Sequence, residues 1–147
     1  MILDEMMDRN PLISNKAKGD SAEAIAVAYL EQNGFFVIEM NHRNKHGEID
    51  IIATKPLIAS DRFARAKKKG EVLETIYHFI EVKMRVKDAY GRGAEAVTQS
   101  KQKRIRTAAQ YYMIENRLHD AYYSSFDVIE INGWFNNYEL EFFENCF

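Results

Sequence analysis

A chain of 147 residues, 46% apolar and 12% aromatic, can close a core without staples and reads as a single domain, 1–147. Its formal net charge of −2 excludes a uniformly basic nucleic-acid binder, so any such role has to come from local clusters. The one cysteine, Cys146, excludes an intrachain disulfide framework and a cysteine-rich zinc site.

No apolar run approaches the roughly 18 residues of a membrane span. The opening MILDEMMDRN is acidic where a signal peptide would be positive, so a soluble, cytoplasmic protein with no membrane partner is expected. Residues 1–18 read as an N-terminal arm. GDSAEAIAVAYLEQNG then reads as a helix, with Asp20 as N-cap and Glu23 completing a capping box. Ala22, Ile25, Ala26, Tyr29 and Leu30 form its apolar face, and Gly34 ends it in a left-handed cap. FFVIEMN is a strand, HRNKHG a turn and EIDIIA the next strand, which makes a hairpin.

Residues 54–75 form a basic insertion containing Arg62, Arg65, Lys67, Lys68 and Lys69. It reads as a surface excursion, part helical, or as long extensions of the flanking strands. TIYHFIEVKMRV is the third strand, and KDAYGRGAE a loop loosened by Gly91 and Gly93. The second long helix covers VTQSKQKRIRTAAQYYMIENRL, capped by Thr98, with Ile105, Ala108, Ala109, Tyr112 and Met113 on one stripe. YYSSFDVIEI and FNNYELEFF are the last two strands, joined by a hairpin turn at Asn132-Gly133. The order is α-β-β-β-α-β-β, an α/β (α+β) fold with a mixed central sheet flanked by helices.

Chemistry concentrates in two stretches. In GEIDII, Glu48 and Asp50 sit two apart on a strand whose Ile49, Ile51 and Ile52 want a dry interior. In HFIEVKMR, Phe79, Glu81, Lys83 and Arg85 share a face, and Ile80, Val82 and Met84 share the other. One lysine cannot neutralise three carboxylates on neighbouring half-buried strands, whereas a divalent cation can. Mg²⁺ (or Mn²⁺) prefers such oxygens. On a phosphodiester it would polarise the phosphoryl oxygen and acidify a water, with Lys83 placed to orient the nucleophile or offset developing charge.

Asp50 followed by Glu81-Val82-Lys83 resembles the PD-(D/E)xK nuclease superfamily, whose core has the same α-β-β-β-α-β order. More closely, AEAIAVAYLEQNGF, NHRNKHGEIDIIA, FIEVKMR, GRGAEAV, KQKRI and FDVIEI resemble the YraN family of uncharacterised bacterial proteins, over residues 19–131. That family shares its fold with archaeal Holliday-junction resolvases. The resemblance implies a restriction-endonuclease-like core with Asp50, Glu81 and the Val82 carbonyl as metal ligands and Lys83 as the catalytic lysine. Glu23 would be an additional helical carboxylate on the metal, and Glu48 matches a family position without an assigned role. It also implies a homodimer. The chain departs from the family pattern in its long 54–75 spacer, in Ser125 where arginine is common, and in Ala22 where glycine is usual.

Each assignment has a plainer rival. The acidic set could be a solvated sheet face with cross-strand ion pairs. Glu23 could serve the capping box. Lys101, Lys103, Arg104 and Arg106 could be a solvated helix face, but cations in a first helical turn oppose the macrodipole, which a phosphate would relieve. Lys101 and Arg104, three apart, face the same way. With Arg43 in the hairpin turn and Arg85, they are the expected nucleic-acid contacts. The leading expectation is a metal-dependent endonuclease binding and hydrolysing DNA, on branched structures. The alternatives are a non-catalytic nucleic-acid-binding module of the same fold, or an assembly factor using the aromatic tail NGWFNNYELEFFENCF.

Overall fold

The computed structural model describes residues 15–58, 72–85, 93–118, 123–134 and 137–147, and among these two helices enclose one five-stranded sheet. The elements are α1 (Asn15–Gln32), β1 (Phe36–Asn44), β2 (Gly47–Ile58), β3 (Val72–Arg85), a short 3₁₀ turn (Gly93–Ala96), α2 (Gln99–Glu115), β4 (Tyr123–Trp134) and β5 (Asn137–Phe143). Spatial order follows chain order. β1, β2 and β3 pair antiparallel, β3 and β4 parallel across the α2 crossover, and β4 and β5 antiparallel. This is the mixed α+β architecture expected. The arm before residue 15 and the Arg62–Lys69 cluster lie outside the described residues.

Alternation along the central strands builds a separate core on each face. Ala22, Ala26 and Leu30 of α1 pack on Ile51, Ile80, Ile129 and Ile131. On the other face the α2 stripe of Ile105, Ala108, Ala109, Tyr112 and Met113 packs on Ile49, Ile52, Phe79 and Val128. Ile49 and Ile52 thus join the α2-side core while Ile51 joins the α1-side core, so strict two-residue alternation fails around Asp50. α1 ends as expected. Gly34 adopts φ +84, and Phe35 N–H reaches Leu30 carbonyl at 3.0 Å in a Schellman arrangement.

Several boundaries differ from the sequence reading. α1 begins at Asn15, so Asp20 lies inside the helix and Glu23 is not at N3 of a capping box. His42 and Arg43 belong to β1, because the ladder runs on to Asn44↔Gly47. At both ends of the 54–75 spacer the expected alternative of extended flanking strands holds instead, since β2 and β3 pair as a hairpin from Ile51↔Ile80 to Ile58↔Val72. The last hairpin closes beyond Asn132-Gly133, since Trp134 still pairs with Asn137. Gly133, at φ +108, is needed where a Cβ would lie 2.2 Å from the Asn137 carbonyl oxygen.

Gly93 does not loosen its loop. It is buried at φ +58, its N–H donates to Glu130 Oε1 at 2.8 Å, and a Cβ there would approach the Phe143 ring to 2.9 Å. Of the described C-terminal aromatics, Phe142 and Phe147 are packed, while Tyr138 is 40% exposed. Phe142 meets Tyr29 and Phe35 edge-on, and Phe147 tilts against Phe126. β1, at the sheet edge, carries a register irregularity between Val37 and Glu39.

Candidate functional site

The two strands bearing the acidic motifs separate at one point. β2 and β3 pair as far as Ile51↔Ile80; beyond it β2 continues only against β1 and β3 only against β4. Asp50 and Glu81 are the next residues, one on each side of the opening. The Val82 N–H, left without a β2 carbonyl, donates to Asp50 Oδ2 at 2.9 Å. A side-chain acceptor here replaces a ladder bond, and that is why a carboxylate can sit in a strand that otherwise reads as core.

α2 closes the opening from above. Thr98 caps it, accepting from Lys101 N–H at 3.2 Å, and Gln102 ties its first turn to the carbonyls of Ala94 and Val97. Lys101 then hangs over the sheet with its Nζ 2.5 Å from Glu81 Oε1. Lys83, on the same face of β3 as Glu81, places its Nζ 3.7 Å from the same oxygen. Glu81 is only 3% exposed. The result is a cleft of about 260 Å³ lined by Gly47, Glu48, Asp50, Glu81, Lys101 and Arg104. Gly47 lets the hairpin pass under α2, where a Cβ would sit 3.4 Å from the Arg104 carbonyl oxygen.

The electrostatics follow from this crowding. Burial above all, and then the charge of Glu81, push the Asp50 carboxyl from 3.8 up to about 7; the Val82 N–H and Lys101 offset part of that. Burial works against the charge of Lys101. The hydrogen bond and charge of Glu81, with Asp50 and Glu48 behind it, outweigh burial and hold the ammonium above its usual range.

The expected residues separate into three groups. Asp50, Glu81, Lys101 and Arg104 converge on the cleft, with Lys101 facing the carboxylates rather than an open phosphate track, and Lys83 approaches Glu81 at 3.7 Å from outside the cleft lining. Glu48 lines the cleft while bonding Arg43, whose Nε lies 3.4 Å away in an exposed pair. Glu23 and Arg85 go elsewhere. Glu23 accepts from Asn41 Nδ2 at 2.9 Å, and is neither in the cleft lining nor among the groups acting on Asp50. Arg85 is 10% exposed with its Nε 3.9 Å from the buried Glu130, which ties down β4 rather than reaching outward. Among the described residues no three His, Cys, Asp or Glu side chains form a metal-binding group, so the carboxylate set is a pair.

A second polar cluster escaped the sequence reading. On the opposite sheet face Asp127, fully buried, takes His78 Nδ1 at 2.6 Å, Ser125 Oγ at 2.6 Å and the Asn145 N–H at 2.7 Å. Ser125 therefore stands in the arginine position of the family pattern as one of three donors to Asp127. Its hydroxyl bonds the aspartate and not the histidine, so the trio is not a nucleophile–base relay. The signal was available: Asp127 shares a strand face with Ile129 and Ile131, and a carboxylate on a core face demands donors.

Fold and site together define a mixed α+β protein with an acidic pair, overlaid by lysines, where its central sheet splits. The chain belongs to a family whose model, described as "Uncharacterised protein family UPF0102", matches residues 22–131; this is the YraN family that its motifs resemble. It is similar to a UPF0102 protein of Clostridium perfringens (strain SM101 / Type A), 40% identical over 90% of this chain and 95% of the relative. It is 38% identical, with the same coverage, to a UPF0102 protein of Clostridium botulinum (strain Okra / Type B1). No helix of the described residues is long and apolar enough to cross a membrane.

Proposed function

We propose that this protein is a metal-dependent nuclease of the PD-(D/E)xK type that binds DNA in the cytoplasm and hydrolyses its phosphodiester bonds, with branched structures as substrate and a two-fold dimer as the assembly suited to them. The observation that carries the reading is the carboxylate pair at the strand opening, with Asp50 fixed by the Val82 N–H and Lys83 beside Glu81.

The donor set fits Mg²⁺ or Mn²⁺. Two carboxylates and the Val82 carbonyl are hard oxygens, few enough for a hydrated ion that also takes phosphate oxygens. Asp50, Glu81 and Val82 would hold it. When bound, the ion supplies Lewis-acid polarisation of the phosphoryl group and a more acidic water. Asp50 is oriented in advance by its backbone bond. Lys83, 32% exposed, has room to turn from Glu81 toward a phosphate, where it orients the nucleophile or offsets charge on the phosphoryl oxygens. Arg104 at the cleft rim is the phosphate contact in this scheme, and Arg43 contributes at the outer end of the hairpin.

A second reading is a binding module without turnover. It is favoured by one observation: Lys101 already neutralises Glu81, so the cleft is electrically tolerable as it stands. One experiment separates the two. Purified protein is incubated with junction, flap and single-stranded DNA in Mg²⁺ or Mn²⁺, alongside Asp50→Ala, Lys83→Ala and an EDTA control. The nuclease reading expects cleavage that EDTA and both substitutions abolish. Salt-sensitive binding without cleavage in either metal assigns the module instead.

A further inference from the structure

Lys101 holds the position where a cation would sit, although it comes from a helix and lies outside the carboxylate–lysine motif. Its Nζ reaches Glu81 Oε1 more closely than Lys83 does, 2.5 Å against 3.7 Å. It is the third residue of α2, where the helix dipole disfavours a positive charge, so its place is maintained by the acidic cleft and not by the helix. The side chain is 38% exposed, and lysine is a point charge on a flexible stem, able to withdraw into solvent without moving the backbone. Its backbone N–H is separately held by Thr98, so the turn does not depend on where the ammonium goes.

We infer that Lys101 is a built-in placeholder for the dication: it neutralises Glu81 while the cleft is metal-free, competes with the ion for that carboxylate, and is displaced when the ion binds. This rests on the metal-site reading above. Lys101 thereby sets the metal concentration at which the site fills, and its released ammonium stays at the cleft mouth beside Arg104, available to a phosphate.

The test is Mn²⁺ binding followed by electron paramagnetic resonance or calorimetry, with no substrate present, on the whole chain. Wild type is compared with Lys101→Met, Lys101→Gln, Lys101→Arg and Lys103→Met, an exposed lysine on the same helix. Removing a unit charge this close to Glu81 is expected to tighten Mn²⁺ binding about tenfold or more in the Met and Gln variants. Lys101→Arg, which keeps the charge, shows no such gain, and Lys103→Met changes the constant by less than about twofold. Asp50→Asn placed on Lys101→Met abolishes the tightened binding. Circular dichroism confirms that each variant is folded. Unchanged or weaker binding in both neutral variants, with wild type binding normally, overturns the placeholder and leaves the metal site standing. If no protein binds Mn²⁺ at millimolar concentration, the metal-site reading itself fails and the placeholder with it.

Discussion

Asp50→Asn should make the metal-free protein more stable, and by an amount that depends on pH. The folded carboxyl is raised from 3.8 to about 7, because it is buried beside Glu81. A group with its folded pKa raised binds its proton more tightly in the native state, so stability is fully present below pH 3.8 and falls as pH climbs toward 7. The difference is about three units, and at 1.36 kcal/mol per unit the wild type loses up to about 4 kcal/mol across that window. Asparagine is neutral throughout and retains an acceptor for the Val82 N–H, so it avoids the loss. Urea unfolding in EDTA should give the variant an advantage of about 2–4 kcal/mol at pH 8, shrinking to about 1 kcal/mol at pH 4.5. A variant less stable than wild type at pH 8, or an advantage that does not change with pH, would refute the claim that burial, with Glu81 beside it, disfavours the charged form of Asp50.

Two further substitutions probe the packing around the site. Gly93→Ala places a Cβ 2.9 Å from the Phe143 ring at φ +58 and should cost about 1–3 kcal/mol in urea unfolding, whereas a mobile loop glycine would cost almost nothing. Asp127→Ala strands the buried donors of His78 and Ser125 and the partly buried Asn145 N–H, and should destabilise by about 3 kcal/mol or more, with a loss under about 1 kcal/mol counting against the network.

Periodicity made the α2 stripe and the facing positions on β3 readable, because those residues answer to a single requirement, burial against one neighbour. The pairing of Asp50 with Glu81 was readable for a related reason: a carboxylate costs so much in a core strand that its presence points to a partner. What was missed depends on residues distant in sequence. Asp20 has the chemistry of an N-cap, but α1 starts at Asn15 and runs through it. Gly93 is required by Phe143, 50 positions away in the chain, and nothing in its own neighbourhood says so. The sequence pairs Lys101 with Arg104 as a phosphate contact on the helix face; only the seating of α2 over the parted strands turns it to Glu81. Arg85 continued the acidic motif in sequence, yet Glu130, across the parallel β3–β4 pair, takes its guanidinium.

The irregularity in β1 bears on whether this edge of the sheet can take up a further strand. β1 is an outermost strand with Phe36, Ile38 and Met40 at 67%, 47% and 41% exposure, a composition that invites another chain to add itself by backbone pairing. The extra residue between Val37 and Glu39 kinks that rim and spoils the even spacing of its free amides and carbonyls. Deleting Ile38 would straighten the rim into a template and turn the side chains of Phe36 and Val37 to the opposite faces, so one supernumerary residue guards against runaway stacking that the apolar side chains alone would promote.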